Sequence, residues 1–174
     1  MVPRVQPPRS PLPGKSALRD ELLARLRVEL DQLEGAHRAA LEGATHEESR
    51  PENSKDTRAL EQSYLARGHA ARVEELEAAL VSVAALSTAK PGPRIALGAV
   101  ATVDDDGSVT RYYLAPWGGG VTLAGGIAVV TPTSPIGRAL IGKAVGEVAE
   151  VHRPGGVREF EIDRLYTIHD EAPE

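Results

Sequence analysis

The chain has 174 residues, a formal net charge of −5 and no cysteine, and 41% of its residues are hydrophobic while only 3% are aromatic. These values exclude a disulfide framework and thiolate chemistry, and they argue against tight nonspecific binding to duplex nucleic acid, which relies on a basic surface. No apolar run approaches the roughly 20 residues that span a bilayer, and no signal peptide is visible, so we expect a cytoplasmic protein without membrane contact.

Two stretches make up the N-terminal part of the chain. Residues 1–14 contain five of the thirteen prolines and no apolar period, which predicts a disordered segment. The next stretch repeats leucine every three or four positions between charged residues, which predicts an amphipathic helix from about Ser16 to Thr45, about 45 Å long. The leucines are Leu18, Leu22, Leu26, Leu30, Leu33 and Leu41.

A second amphipathic run ends before the helix-breaking residues 90–93, Lys-Pro-Gly-Pro. Its apolar positions are Leu60, Tyr64, Leu65, Val73, Leu76, Leu80 and Val83, and Glu74, Glu75 and Glu77 are predicted to face outward. Two helices of similar length joined by a polar turn should fold back as an antiparallel coiled coil, which we assign to residues 15–90. The midpoint of the pair is residue 52, so the acidic segment around it is predicted to form the tip.

Residues 91–170 have the pattern of short strands and turns. Strands are predicted at 95–103, 109–114, 127–130 and 157–168, with a hairpin turn at 104–107. Ser134 as an N-cap, Pro135 at the first helical position and Gly142 just past the end predict one short helix. The fold class is therefore α+β: an N-terminal antiparallel coiled-coil hairpin followed by a small antiparallel sheet with one short helix.

The C-terminal motifs resemble a known family. SPIGRALIGK at 134–143, VGE at 145–147, PGG at 154–156 and REFEIDRLYTI at 158–168 closely resemble the C-terminal domain of the GreA/GreB transcript cleavage factors. That family joins an FKBP-like C-terminal domain to an N-terminal coiled-coil arm. The resemblance implies that bacterial RNA polymerase is the partner, and that the arm enters its secondary channel and reaches the nascent RNA 3′ segment through the polymerase.

The tip, HEESRPENSK at 46–55, resembles the family tip, which reads approximately His-Gly-Asp-Leu-Lys-Glu-Asn-Ala-Glu-Tyr. Glu48 takes the position of the family aspartate, Glu52 that of the glutamate, and Pro51 is an inserted residue. The resemblance implies that Glu48 and Glu52 are the catalytic acids. They would help to hold a second Mg²⁺ that is shared with RNA polymerase and not bound stably by the factor alone. From the residues alone, these acids are equally typical of a solvated turn between helices.

Further residues carry weaker hypotheses. Trp117 lies in the segment 115–120, which replaces an acidic stretch of the family, and it is interpreted as a partner anchor or as a packing residue. The five histidines have no metal-ligand spacing. The resemblance implies that a partial basic stripe along the arm faces the RNA, although ordinary surface charge is the favoured explanation for each single cation. Its members are Arg38, Arg50, Lys55, Arg58, Arg67 and Arg72.

Four functional hypotheses remain. The leading one is an accessory factor, not itself an enzyme, that stimulates the polymerase to cleave backtracked RNA. The second is a Gre-like modulator or inhibitor that acts through the same channel without cleavage, because the tip departs from the family pattern. A peptidyl-prolyl isomerase is disfavoured by the shortage of aromatic residues for a proline pocket. A dimeric coiled coil is disfavoured because Gly68-His69 interrupts the apolar seam, so we expect a monomer.

Overall fold

Two long helices occupy the N-terminal half of the protein. The structure is a computed structural model that describes residues 12–45, 58–88 and 92–165. Helix α1 spans Lys15–Thr45 and helix α2 spans Arg58–Ala84. The first helix has nearly the bounds predicted from the leucine spacing, because no proline or β-branched run interrupts its good helix-forming residues.

The buried positions of the two helices follow the predicted seam only in part. Leu18, Leu22 and Leu26 on α1 are at most 4% exposed, and Leu76 and Val83 on α2 are fully buried. Three residues that we assigned to the apolar faces are instead exposed: Leu41 (45%), Tyr64 (61%) and Leu65 (58%). For Tyr64 the reason is its angular position on the helix. The buried and half-buried positions of α2 include 69, 73, 76, 80 and 83, and Tyr64 lies off this line at 100° per residue, whereas Leu65 is in phase with Val83 and is nevertheless exposed.

The C-terminal part contains a six-stranded sheet and one short helix. The strands are β1 (Val100–Asp105), β2 (Ser108–Leu114), β3 (Thr122–Leu123), β4 (Ile127–Val130), β5 (Val148–Arg153) and β6 (Gly156–Leu165), and helix α3 is Pro135–Leu140. The spatial order is β3-β4-β2-β1-β6-β5. Pairing is antiparallel except between β2 and β4, which are parallel. The prediction of an antiparallel sheet is therefore right for most of the sheet and wrong for that pair. After β2 the chain first forms β3 at the edge of the sheet, and then returns as β4, which lies between β3 and β2.

The first strand begins five residues later than predicted. Residues 95–99 do not join β1, because Ile95 pairs its backbone with residue 143 and Gly98 turns the chain with a φ of 81°. The hairpin turn is confirmed: Asp106 and Gly107 have φ values of 51° and 87°, the conformation of a two-residue primed turn. The Gly107 amide also donates to the Asp104 carboxylate (2.6 Å), which supports the turn.

Both faces of the sheet are buried. One face forms a cluster with α3 that includes Val103, Leu114, Leu140, Phe160 and Ile162, each at most 3% exposed. On the other face the register aligns Val100, Tyr113 and Val129 across three strands, each 1% exposed.

The first turns of α1 pack on this second face. The Leu22 side chain lies so close to Gly118 that a Cβ there would be 2.6 Å from Leu22 Cδ1. The Glu21 carboxylate accepts a hydrogen bond from the Ala124 amide (2.9 Å). Burial raises the pKa of Tyr113 to about 12, so this tyrosine stays protonated at every physiological pH.

The chain divides into two compact units. One consists of residues 23–81, which are the greater part of both helices, and the other combines residues up to Leu22 with those from Ser82 onward. The first turns of α1 and the last residues of α2 therefore belong to the same unit as the sheet. Among the described residues, no helix is long and apolar enough to cross a membrane.

Candidate functional site

An ion pair joins the two helices of the hairpin. Arg72 on α2 lies 3.3 Å from Glu29 on α1 and 2.9 Å from Glu75, one turn along its own helix. The hydrogen bond to Glu75, with a further contribution from Glu29, raises the pKa of Arg72 above its ordinary value. These contacts are exposed, so each adds little to the stability of the hairpin.

The predicted catalytic acids, Glu48 and Glu52, lie outside the described residues. The described helices nevertheless bracket them, since α1 ends at Thr45 and α2 begins at Arg58. Glu29 and Arg72, which face each other, have their sequence midpoint between residues 50 and 51. Glu48 and Glu52 lie on either side of this midpoint in the sequence, and their place at the tip stays a prediction.

The residues of the predicted basic stripe have different surroundings in the structure. Arg72 is engaged by two carboxylates, which neutralise its charge, whereas Arg38 is exposed on α1. The Arg67 guanidinium lies over the Tyr64 ring, with its central carbon 4.9 Å from the ring centroid. Arg50 and Lys55 fall outside the described residues, as does the side chain of Arg58.

The short helix α3 is built as its sequence predicts. Ser134 has extended backbone angles and its Oγ accepts a hydrogen bond from the Gly137 amide (3.0 Å), while Pro135 occupies the first turn. The same hydroxyl donates to the Thr131 carbonyl (2.7 Å), so one side chain joins the helix start to the preceding loop. Gly142 follows the helix with a φ of 80°. Ser134 is thus explained by capping and needs no nucleophilic role.

Removing this cap gives a first testable prediction. We expect Ser134→Ala to lower the free energy of unfolding by about 1 kcal/mol, because the Gly137 amide loses its acceptor. Urea denaturation followed by the fluorescence of Trp117, the single tryptophan, measures the effect in the sheet-containing unit. Ser134→Asp keeps an acceptor and should lose less. Equal loss in both variants would show that the contact with Thr131 matters more than the cap.

The loop that carries Trp117 is ordered by its backbone. The Ala115 amide donates to the Val130 carbonyl and the Gly120 amide to the Val129 carbonyl, both at 3.0 Å. Trp117 is half-buried, and its neighbour Gly118 packs directly against Leu22. The loop therefore has a packing role, and a role of Trp117 in binding a partner stays a prediction.

Contacts of Arg94 join the chain before β1 to residues 142–147. Arg94 donates to the Gly142 carbonyl (2.8 Å) and lies 3.4 Å from the Glu147 carboxylate. Glu147 also accepts from the Ala144 amide (3.1 Å), and this backbone hydrogen bond, with the charge of Arg94, holds the pKa of Glu147 below its ordinary value. Glu147 therefore stays ionised at neutral and mildly acidic pH. Its stabilising contacts are lost as the pH falls through its lowered pKa. Sequence reasoning missed this contact, since the residues are 53 positions apart.

Metal-binding geometry is not found in the described part of the chain. Residues 12–45, 58–88 and 92–165 contain no group of three or more His, Asp or Glu side chains arranged to hold an ion. His37, His69 and His152 are among the residues covered, whereas His46 and His169 are not.

Comparison with known proteins decides the family. Residues 90–165 match the family model described as "Transcription elongation factor, GreA/GreB, C-term". A transcription elongation factor GreA of Methylococcus capsulatus is 36% identical over 147 residues, which cover 79% of this chain and 89% of the relative. The GreA of Phenylobacterium zucineum is 33% identical over 156 residues, covering 87% of this chain and 92% of the relative. The chain belongs to the GreA/GreB family of transcription elongation factors.

Among solved structures, this GreA/GreB family member is similar to the transcription factor Gfh1. One Gfh1 structure aligns over 90% of this chain and 98% of its own, with 23% identity and a TM-score of 0.38. The GreA factor homolog 1 of Thermus thermophilus aligns over 83% of this chain and 94% of its own, with 20% identity and a TM-score of 0.36. Family membership confirms the resemblance seen in the C-terminal motifs, and the α+β fold with a helical hairpin is as predicted.

Proposed function

We propose that the protein binds bacterial RNA polymerase, inserts its helical hairpin into the secondary channel and stimulates the polymerase to cleave backtracked RNA. The observation that carries the proposal is the match to a GreA elongation factor over 79% of this chain and 89% of the relative, a length that must include parts of both the hairpin and the sheet-containing unit. The protein would act as an accessory factor, and the polymerase would perform the cleavage. We expect it to work as a monomer that meets the nascent RNA 3′ segment through the polymerase.

The chemistry of the proposed tip rests on its donor atoms. Glu48 and Glu52 offer carboxylate oxygens, the hard ligands that Mg²⁺ prefers, and one or two carboxylates suffice because this ion usually keeps several waters. A second Mg²⁺ beside the one in the polymerase would supply charge stabilisation for the attacking and leaving oxygens of the phosphodiester. The protein's own contribution is to hold the two acids in the connecting segment between α1 and α2 and so deliver them to the RNA.

The test uses a stalled, backtracked elongation complex with a labelled transcript. Adding the full-length protein should shorten the RNA and accelerate cleavage at least tenfold over the polymerase alone, and the protein should copurify with the polymerase. A protein that binds the polymerase and leaves the transcript intact would contradict the cleavage function.

A second candidate function is supported by the composition of the tip. Glu48 stands where the family carries an aspartate, and Pro51 is an additional residue. A longer acid in a loop of different length changes where the carboxylates lie, so the same hairpin would occupy the channel and modulate or inhibit transcription without cleavage. This candidate predicts slower transcription at saturating protein with no shortened RNA, the opposite of the leading proposal.

A further inference from the structure

Each helix of the hairpin carries a glycine in its interior. Gly35 lies within α1 and Gly68 within α2, and both are exposed. A glycine inside a helix makes the helix less stable than an alanine does, because glycine loses more backbone freedom on folding than any other residue. Two such residues in one helical hairpin therefore call for an explanation.

Packing and backbone conformation do not explain these two glycines. A Cβ at Gly35 or at Gly68 would meet no neighbouring atom within 4 Å among the described residues, so there is room for a side chain at both positions. Both residues have helical backbone, so neither needs the left-handed conformation that favours glycine at Gly98 and Gly142. Alanine would fit at both positions and would give more stable helices.

The two glycines lie at nearly the same level of the hairpin. Arg72 contacts Glu29 across the pair, and each step forward along α1 corresponds to a step back along α2. Gly35 is six residues after Glu29, and the position six residues before Arg72 is residue 66, which is two residues from Gly68. This offset is only about 3 Å along the helix axis. Two helices in contact bend at one place only if both yield there, and glycines at one level meet this condition.

The packing between the helices also changes at this level. We call residues 23–34 and 69–81 the proximal part of the hairpin and residues 35–45 and 58–68 its distal part. The proximal part contains the buried side chains of Leu26 (4% exposed) and Leu76 (0%). In the distal part, every side chain that the structure describes is half-buried or exposed. The Nδ1 atom of His37 is buried there without a hydrogen-bond partner among the described residues, which costs further stability.

We propose that Gly35 and Gly68 form a hinge at which the distal part of the hairpin bends relative to the proximal part. Glycine is one of the few residues at which helices bend, and segments that move belong to the less stable regions of a fold. The use of the hinge rests on the proposed function, in which the acids that follow the distal part of α1 must reach an RNA end inside the polymerase. Bending at the glycines would redirect the distal part without unfolding the proximal part.

A hinge explains the glycines better than a close approach of the polymerase to the helix backbone does. Glycine also allows such an approach, because it has no side chain. A close approach, however, does not require that the packing between the helices weaken at the level of the glycines. A hinge requires this, because a well-packed distal part would resist bending.

The first experiment measures amide hydrogen exchange of the full-length protein by mass spectrometry. In the wild type, we expect peptides from the distal part to exchange at least about tenfold faster than peptides from the proximal part, because their helices open more often. Gly35→Ala and Gly68→Ala should each slow exchange in the distal part about fivefold, which is the factor that corresponds to the advantage of alanine over glycine inside a helix.

The second experiment measures the shortening of a labelled transcript in a backtracked elongation complex at saturating protein. The double variant Gly35→Ala, Gly68→Ala should bind the polymerase as the wild type does and shorten the RNA at least about fivefold more slowly, because each alanine favours the unbent helices by about that factor. Val28→Ala is the matched control. It replaces an exposed, β-branched residue of the proximal part by a better helix former, and it should change neither distal exchange nor cleavage.

Equal exchange of the two parts in the wild type, or distal exchange that the double substitution leaves unchanged, would overturn the hinge. Wild-type cleavage by a double variant whose distal exchange is slowed would overturn the use of the hinge and leave the proposed function standing. Weaker polymerase binding by the double variant with unchanged distal exchange would assign the glycines to a close approach of the polymerase. Failure of the wild-type protein to bind polymerase would overturn the proposed function, while the exchange rates would still decide whether the hinge exists.

Discussion

Replacing Glu48 and Glu52 together by alanine is expected to abolish the stimulation of RNA cleavage while leaving polymerase binding intact. Loss of residues that merely support a metal ligand typically costs 10–100-fold, so loss of two proposed ligands should reduce the cleavage rate by at least about 100-fold. The measurement is the rate of transcript shortening in a backtracked complex at saturating protein. Saturation separates a defect in the chemical step from one in binding.

Matched variants make this result specific. Glu74→Ala with Glu77→Ala removes the same charge from exposed positions of α2, and it should leave cleavage unchanged. Glu48→Asp brings back the acid that the family carries at this position, and it should cleave at least as fast as the wild type. Full activity of the Glu48→Ala, Glu52→Ala protein would remove these residues from the site, and inactivity of every variant, the wild type included, would favour the non-cleaving modulator.

Gly98→Ala is expected to lower the free energy of unfolding by about 3 kcal/mol. Gly98 has a φ of 81°, and a Cβ there would lie 2.9 Å from the backbone oxygen of Ser87. The left-handed conformation costs an alanine roughly 1–2 kcal/mol, and a clash with rigid backbone adds a further cost of about 1–3 kcal/mol. Urea denaturation monitored by Trp117 fluorescence reports on the unit that contains both residues.

Gly142 is a close control for the contribution of backbone conformation. Its φ of 80° is nearly the same, but a Cβ there would meet no atom within 4 Å. Gly142→Ala should therefore lose only the roughly 1–2 kcal/mol of left-handed strain. If the two variants lost equal stability, the close approach of Ser87 to Gly98 would have no energetic importance.

The parts of the fold that were predictable from sequence are those determined by local chemistry. The leucine spacing located α1, and Ser134, Pro135 and Gly142 located α3 and its caps. The pairing of residue 95 with residue 143 was not predictable, because apolar residues such as Ile95 and Leu97 look the same whether they extend β1 or pair elsewhere. Strand β3 has only two residues, too few for a period to be recognised.

For the candidate site, the sequence predicted a location in the chain and did not predict the surroundings of the side chains. Its place in the chain was predicted from the midpoint of the helices, and the role of Glu48 and Glu52 stays a prediction. The side-chain environments did not follow. The sequence alone did not distinguish Arg72, neutralised by two carboxylates, from Arg67, stacked on an exposed ring, because both are arginines on one amphipathic helix.

The strand order of the sheet has a consequence for protein synthesis. Strand β6, which comes last in the sequence, lies between β1 and β5, so β1 keeps one unpaired edge until residues 156–165 have left the ribosome. The hairpin residues 23–81 are all synthesised well before β6. A nascent chain arrested before β6 would expose an open sheet edge, a form that is prone to aggregation and is recognised by chaperones.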